Sequence, residues 1–188
     1  MTRNENSMSR LSILALDVAP EASKPVLDAV HKQLGVVPNM YRLLAQSPTT
    51  LQGFTSNGAA LTKTLDVKTR ERIALAVAQV NGCDYCLSAH TYLGLNLARI
   101  SPEEIALNRK GASSDVKANA AVQFAAKVVR ERGHVTDADI KAVRDAGYSD
   151  CQIVEIVAVT AENVFTNLLN LVAETDIDFP VVHAAEGA

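Results

Sequence analysis

The sequence has no tryptophan, and only four tyrosines and four phenylalanines, so aromatic residues make up 4% of it. So little aromatic surface speaks against an aromatic-rich β-sandwich. The 48% apolar share, carried mainly by Ala, Leu, Val and Ile, suits packed helices. No segment is strongly basic and the formal net charge is −3, which removes the electrostatic footprint of a nucleic-acid or anionic-membrane partner. Cysteine is scarce, and an odd count of three argues against a structural disulfide framework. Long apolar runs are missing as well. The stretch from Leu11 to Leu16 ends at Asp17, too soon for a signal-peptide core. The stretch from Ile153 to Val172 is interrupted by Glu155, Glu162, Asn163 and Asn167, more polar groups than a bilayer-spanning helix usually carries. A cytoplasmic protein with no membrane and no nucleic-acid partner is expected.

What is present is a succession of helix signals. At 188 residues, a single all-α domain is the default, and no repeat, low-complexity tract or long linker divides it. Residues 1–10 are polar and expected to be loose, and residues 181–188 read as a tail. Val26, Val30 and Leu34 recur on one face before Gly35, which predicts a first helix from about Ala22. Val37-Pro38-Asn39 breaks the pattern, and a short helix is expected to follow through Ala45. Asp66, Ser101-Pro102, Thr136 and Ser149 are each a capping side chain at the head of a run, Ser47-Pro48 starts another with Pro48 in its first turn, and a long Ala- and Val-rich helix is expected from Asp115 to Arg130. Gly82, Gly133 and Gly147 end three of those runs. No alternating strand pattern appears.

The chemistry concentrates in Cys83-Asp84-Tyr85-Cys86 and His90. Residues three, four and seven apart share a helix face, so a helix beginning at Cys83 aligns Cys83, Cys86 and His90. Its N-terminus favours thiolate over thiol. A histidine one turn on can take a proton from Cys86 or stabilise its thiolate, and a second cysteine lets an oxidised sulfur resolve as a disulfide. The N-terminal cysteine of such a pair is often the more acidic and exposed, while His90 is nearest to Cys86, so both divisions of labour stand at this point. Glu71 is a candidate fourth member. In an antiparallel hairpin turning at Asn81-Gly82, Glu71 lies roughly 13 Å and His90 roughly 12 Å from the turn, at similar depth. The rival readings are two buried thiols acting as small hydrophobes, or zinc held by Cys83, Cys86, His90 and Glu71. Cys151 reads as a packing residue. Asn163, Asn167 and Asn170 fall on one face of the last helix, either lining a polar pocket or subunit contact or standing as ordinary exposed amides.

The run Glu71-(eleven residues)-Cys83-x-x-Cys86-x-x-x-His90 resembles the signature of the alkylhydroperoxidase D-like group in the carboxymuconolactone decarboxylase superfamily. Leu34 to Asn39, Ala45 to Pro48, Asn163 to Asn167 with Asn170, and Asp178-Phe179-Pro180 are similar to its peroxidase-related branch. The resemblance implies an all-α fold, assembly into trimers or hexamers, and no metal or organic cofactor. It also implies reduction of hydrogen peroxide or an organic hydroperoxide, with Cys86 as the attacking thiol, Cys83 resolving, and Glu71 and His90 relaying protons. A dithiol donor, lipoyl-linked or thioredoxin-like, would reset the disulfide. One position departs from the pattern: the best-known peroxidase of the group has a second His where this chain has Tyr85. Two other functions stand beside this one. Lactone decarboxylation is the other activity in the superfamily's name, and a non-enzymatic redox-sensing or scaffold module would use the disulfide to alter assembly.

Overall fold

A computed structural model describes residues 9–63 and 65–184. Its order is a 3-10 turn at Leu16–Val18 and then α1 (Lys24–Leu34), α2 (Asn39–Leu44), α3 (Pro48–Leu61), α4 (Val67–Asn81), α5 (Asp84–Asn96), α6 (Pro102–Arg109), α7 (Val116–Arg130), α8 (Asp137–Asp145) and α9 (Asp150–Ala173). No strand occurs among the described residues.

The predicted helix starts hold, and each carries a capping side chain. The side chains of Ser47, Asp66, Ser101, Asp115, Thr136 and Ser149 each accept a backbone N–H from the first turn that follows. These bonds satisfy donors that a helix start leaves orphaned, typically for about 1 kcal/mol each.

Helix α4 is the hub and packs against α5, α6, α7 and α9. Its residues Ile73 to Val77 are fully or almost fully buried. Alanines at 74, 76 and 78 let neighbouring backbones come close, while Ile73 and Val77 join Phe124, Ile156 and Val159 in the main core. Glu104 ties α6 to this hub. It is buried, accepts from Asn108, Ser113 and Ser114, and pairs with Arg72 at 3.0 Å. Burial alone would raise its pKa, but those donors hold it down to about 2, so it remains a carboxylate.

The described residues near both chain ends are more ordered than expected. Residues 1–8 lie outside the described part, but Ser9 and Arg10 are fixed rather than loose. The Ser9 hydroxyl accepts the Asp176 N–H at 2.8 Å, the Arg10 N–H donates to the Ala173 carbonyl at 2.6 Å, and Arg10 pairs with Glu174. Of the expected tail, residues 181–184 are docked on α5. The Val182 N–H donates to Ser88 Oγ, the Ala184 N–H donates to Asp84, and His183 Nδ1 lies 2.7 Å from Asp84 Oδ2. Backbone groups find partners wherever they are buried, and polarity along the sequence does not reveal that docking.

Candidate active site

The site is built on the turn between α4 and α5. Gly82 closes α4 with φ +67°, a left-handed conformation that glycine adopts without penalty, and its N–H reaches the carbonyls of Ala78 and Gln79. The chain then reverses, and Cys83 becomes the N-cap of α5. Its sulfur accepts the Cys86 N–H at 3.3 Å, a role usually filled by an oxygen. Both thiols are buried, Cys83 at 1% and Cys86 at 3% exposure. They differ in what they face: Cys86 lines a cavity of about 440 Å³ and Cys83 lies behind it.

The hairpin brings Glu71 of α4 and His90 of α5 together, with Oε2 2.9 Å from Nδ1. An ionised carboxylate can only accept, so Nδ1 carries the proton and the imidazole has one fixed orientation. Both residues line the same cavity as Cys86. Burial works against a charged imidazole. The charge and hydrogen bond of Glu71 nevertheless raise the His90 pKa above its ordinary value, helped by Cys86 and Glu162.

The two cysteines are driven apart electrically. The Cys86 pKa falls to about 6. The hydrogen bond from Cys83 is the largest cause; it outweighs burial with the help of the His90 charge and the Asn170 amide. The Cys83 pKa moves far upward because it is the donor in that bond, because it is buried, and because Cys86 carries the charge. Near neutral pH the pair is therefore a Cys86 thiolate beside a Cys83 thiol.

The asparagines of α9 are not exposed amides. Asn163, Asn167 and Asn170 are all buried. Asn170 Nδ2 donates to Cys86 Sγ at 3.4 Å, and Asn167 Oδ1 accepts from Asn81 Nδ2 at 2.8 Å, clamping the end of α4. The Asn167 amide also faces Cys86 and helps to lower its pKa. Cys151, expected to pack, is exposed on the first turn of α9, 3.5 Å from Glu155 and far along the helix from the site. Exposure at a helix start follows from position in the turn, which a residue's hydrophobicity does not indicate. Glu162 is a site residue that motif reading missed. It is half-buried on the cavity wall, held by Asn57 Nδ2 at 3.1 Å, and burial raises its pKa although Asn57, Arg70 and His90 each pull it down. Among the described residues, no group of three or more His, Cys, Asp and Glu is arranged to hold a metal ion.

The Tyr85 hydroxyl is engaged with Asp178 and Met40: it donates to Asp178 Oδ1 at 2.9 Å and accepts the Met40 N–H at 3.0 Å. Burial, followed by the charge of Asp178, pushes the phenol well above its ordinary pKa, so it keeps its proton. The other oxygen of Asp178 accepts the Asn39 N–H at 2.7 Å, which caps α2 where Pro38 offers no capping side chain. Phe179 stands edge-on to the Tyr85 ring. Two short motifs from opposite ends of the chain thus meet over Tyr85 and close one side of the cavity. Tyr85→Phe is expected to cost about 1–3 kcal/mol in denaturant unfolding and to speed hydrogen exchange across residues 178–184. The alkylation rate of Cys86 should change little. A large loss of Cys86 reactivity with unchanged exchange would instead make the hydroxyl a proton donor.

The Carboxymuconolactone decarboxylase family pattern matches residues 48–131, which contain Glu71, both site cysteines and His90. An uncharacterized peroxidase-related protein from Ralstonia eutropha JMP134, an alkylhydroperoxidase AhpD core, superposes with a TM-score of 0.79. The two are 26% identical over 90% of this chain and 92% of that one. A peroxidase-related protein from Silicibacter sp. TM1040 gives a TM-score of 0.78 and 25% identity over 94% of each chain. An uncharacterized protein of Haemophilus influenzae is 51% identical over 47 residues, which is 24% of this chain and 42% of that protein's length. The family match over part of the chain and the two peroxidase-related structures over nine-tenths of it support a likeness to the alkylhydroperoxidase D-like branch of the carboxymuconolactone decarboxylase superfamily. The debrominase Bmp8 in complex with 2,3,4-tribromopyrrole has the same fold, with a TM-score of 0.78 at 20% identity over 92% of this chain and 94% of that one, so the fold by itself does not fix a reaction.

Proposed function

We propose that the chain is a thiol-dependent peroxidase that reduces hydrogen peroxide or an organic hydroperoxide through Cys86 and Cys83. The observation that carries this reading is a low-pKa thiol facing a cavity, with His90 on Glu71 beside it and a second thiol directly behind it. The Cys86 thiolate attacks one peroxide oxygen, and the O–O bond breaks. Cys86 becomes a sulfenic acid, and the departing alkoxide or hydroxide takes a proton from the imidazolium of His90. Oxidation removes the charge on Cys86 that had kept Cys83 protonated. The Cys83 thiol then displaces the sulfenic hydroxyl as water and forms the Cys83–Cys86 disulfide. A dithiol, lipoyl-linked or thioredoxin-like, supplies the two electrons that restore the pair. Lactone decarboxylation would leave both cysteines without a task, and a purely sensing module would leave the Glu71–His90 pair without one.

The test is intact mass and thiol count before and after one equivalent of cumene hydroperoxide. Loss of two thiols and two hydrogen atoms within seconds, with alcohol released, is the expected result. Inert thiols would overturn the peroxidase reading and return the question to the decarboxylase and scaffold alternatives.

A further inference from the structure

The two site thiols can be reached from different directions. Cys86 lines the cavity, whereas Cys83 is buried at the head of α5, one helical turn nearer the α4–α5 turn. Displacement at a disulfide sulfur runs in line with the bond that breaks, so the side from which a reducing thiolate arrives decides which sulfur it takes. From the cavity it takes Cys86 and expels Cys83. From beyond the head of α5 it takes Cys83 and expels Cys86. The second course has the better leaving group. Cys86 is the more acidic thiol, and the Asn170 amide and the His90 charge already favour its thiolate.

Residues 181–184 cover the head of α5. Asp84 and Ser88 stand two residues to either side of Cys86 and so point to the far face of that helix. There Ser88 Oγ accepts the Val182 N–H at 2.9 Å, and Asp84 Oδ1 accepts the Ala184 N–H at 2.8 Å. The Ala184 carbonyl accepts Gln79 Nε2 at 2.8 Å, from the last turn of α4, so Ala184 bridges the two helices across the turn that holds Cys83. Arg109 of α6 secures the bridge, donating Nε to Gln79 Oε1 and Nη2 to the His183 carbonyl, each at 2.8 Å. Val182 and Ala184 pack on the cluster of buried side chains that contains Cys83. Residues 181–183 belong to no helix or strand, so this segment can swing away while α4 and α5 keep their own hydrogen bonds.

We propose that the dithiol has two entrances: peroxide meets Cys86 through the cavity, and the reducing dithiol meets Cys83 beneath residues 181–184, which form a flap over the head of α5. The inference rests on the dithiol cycle of the proposed function. The first thiolate of the reductant bonds to Cys83 Sγ, the Cys83–Cys86 bond breaks, and Cys86 leaves as a thiolate. The second thiol of the reductant then displaces Cys83, which takes up its proton. The reductant ends as a disulfide, and the pair as a Cys83 thiol and a Cys86 thiolate. Because the flap opens on the outer surface, it admits a protein-borne dithiol, which a cavity of about 440 Å³ excludes.

The test starts from wild-type protein oxidised with diamide, so it needs no peroxide turnover. Brief exposure to glutathione, quenched with N-ethylmaleimide and mapped by fragmentation between Asp84 and Tyr85, should find glutathione on Cys83 and maleimide on Cys86. Ser88→Ala and Arg109→Ala each remove part of what holds the flap, and neither residue lines the cavity. Each should speed consumption of the disulfide by glutathione by about fivefold or more, and leave the reaction of the reduced protein with cumene hydroperoxide unchanged. Leu97→Trp, at an exposed position of the cavity lining, should slow cumene hydroperoxide and leave reduction unchanged. Glutathione on Cys86 would overturn the proposal. So would flap variants reduced at the wild-type rate, a Leu97→Trp protein in which both half-reactions slow together, or diamide treatment that forms no Cys83–Cys86 disulfide. Reduction at Cys83 in a protein inert to hydroperoxides would support the second entrance and remove the peroxidase reading alone.

Discussion

Cys86→Ser is expected to reduce hydroperoxide turnover by about a thousandfold or more, because a serine hydroxyl in that position remains protonated and no other thiol lines the cavity. Cys83→Ser should behave differently. Its hydroxyl can still cap α5 and donate to the Cys86 sulfur, so the first attack proceeds, but no disulfide can form. That variant should consume one equivalent of peroxide and stop at a Cys86 sulfenic acid, which dimedone traps. A third variant separates capping from charge. The hydrogen bond from Cys83 is the largest cause of the low Cys86 pKa, so Cys83→Ala removes it. Iodoacetamide alkylation of Cys86 should then show a higher midpoint than in wild type, while Cys83→Ser should stay closer to wild type. Trapping the sulfenic acid only in Cys86→Ser would keep the enzyme and reverse the two roles. Equal turnover in all variants would remove the cysteines from the reaction.

These expectations rest partly on features visible in the sequence and partly on features that are not. Helix starts at Ser47, Asp66, Ser101, Asp115, Thr136 and Ser149 are legible because capping is local: the side chain bonds to a backbone group three residues away. The meeting of Glu71 and His90 is nearly as legible, since one tight turn at Gly82 sets the register of two straight helices. Helix α9 marks the boundary. Its sequence carries two stripes, one with Ile153, Ile156, Asn163 and Asn170 and one with Val154, Val157, Phe165 and Val172, and periodicity does not say which faces inward. Hydropathy alone would bury the second. The fold buries the first, because the amides are needed beside Cys86 and at the end of α4. Glu162 and the docking of residues 181–184 depend on contacts about a hundred residues apart in sequence, which no local pattern encodes. The packing of α9 on α4 and α7 is likewise a tertiary fact.

The Glu71–His90 pair carries the second large effect. Glu71→Gln keeps an amide oxygen that can accept from Nδ1 and so preserves the geometry, but removes the charge that raises the His90 pKa. Reaction with peroxide requires Cys86 ionised and His90 protonated together, so kcat/KM plotted against pH should be a bell. Its acid limb lies near the Cys86 value of about 6, where the thiolate forms as pH rises. Its alkaline limb lies at the raised His90 value, above which the leaving oxygen has no proton donor. Without the carboxylate, His90 holds its proton less tightly, and the alkaline limb moves to lower pH. A less charged imidazole also supports the thiolate less, so the acid limb moves to higher pH. The bell should narrow from both sides and its maximum should fall by about a hundredfold, the usual scale for losing a positioned acid–base group. His90→Asn should fall as far, and the double variant should fall little further, because the two residues act as one unit. Measuring kcat/KM for cumene hydroperoxide from pH 4.5 to 9.5 (about two units below and three above an unperturbed histidine) reads all of this. A lower maximum with unmoved limbs would make Glu71 a packing residue, and additive losses would separate its role from that of His90.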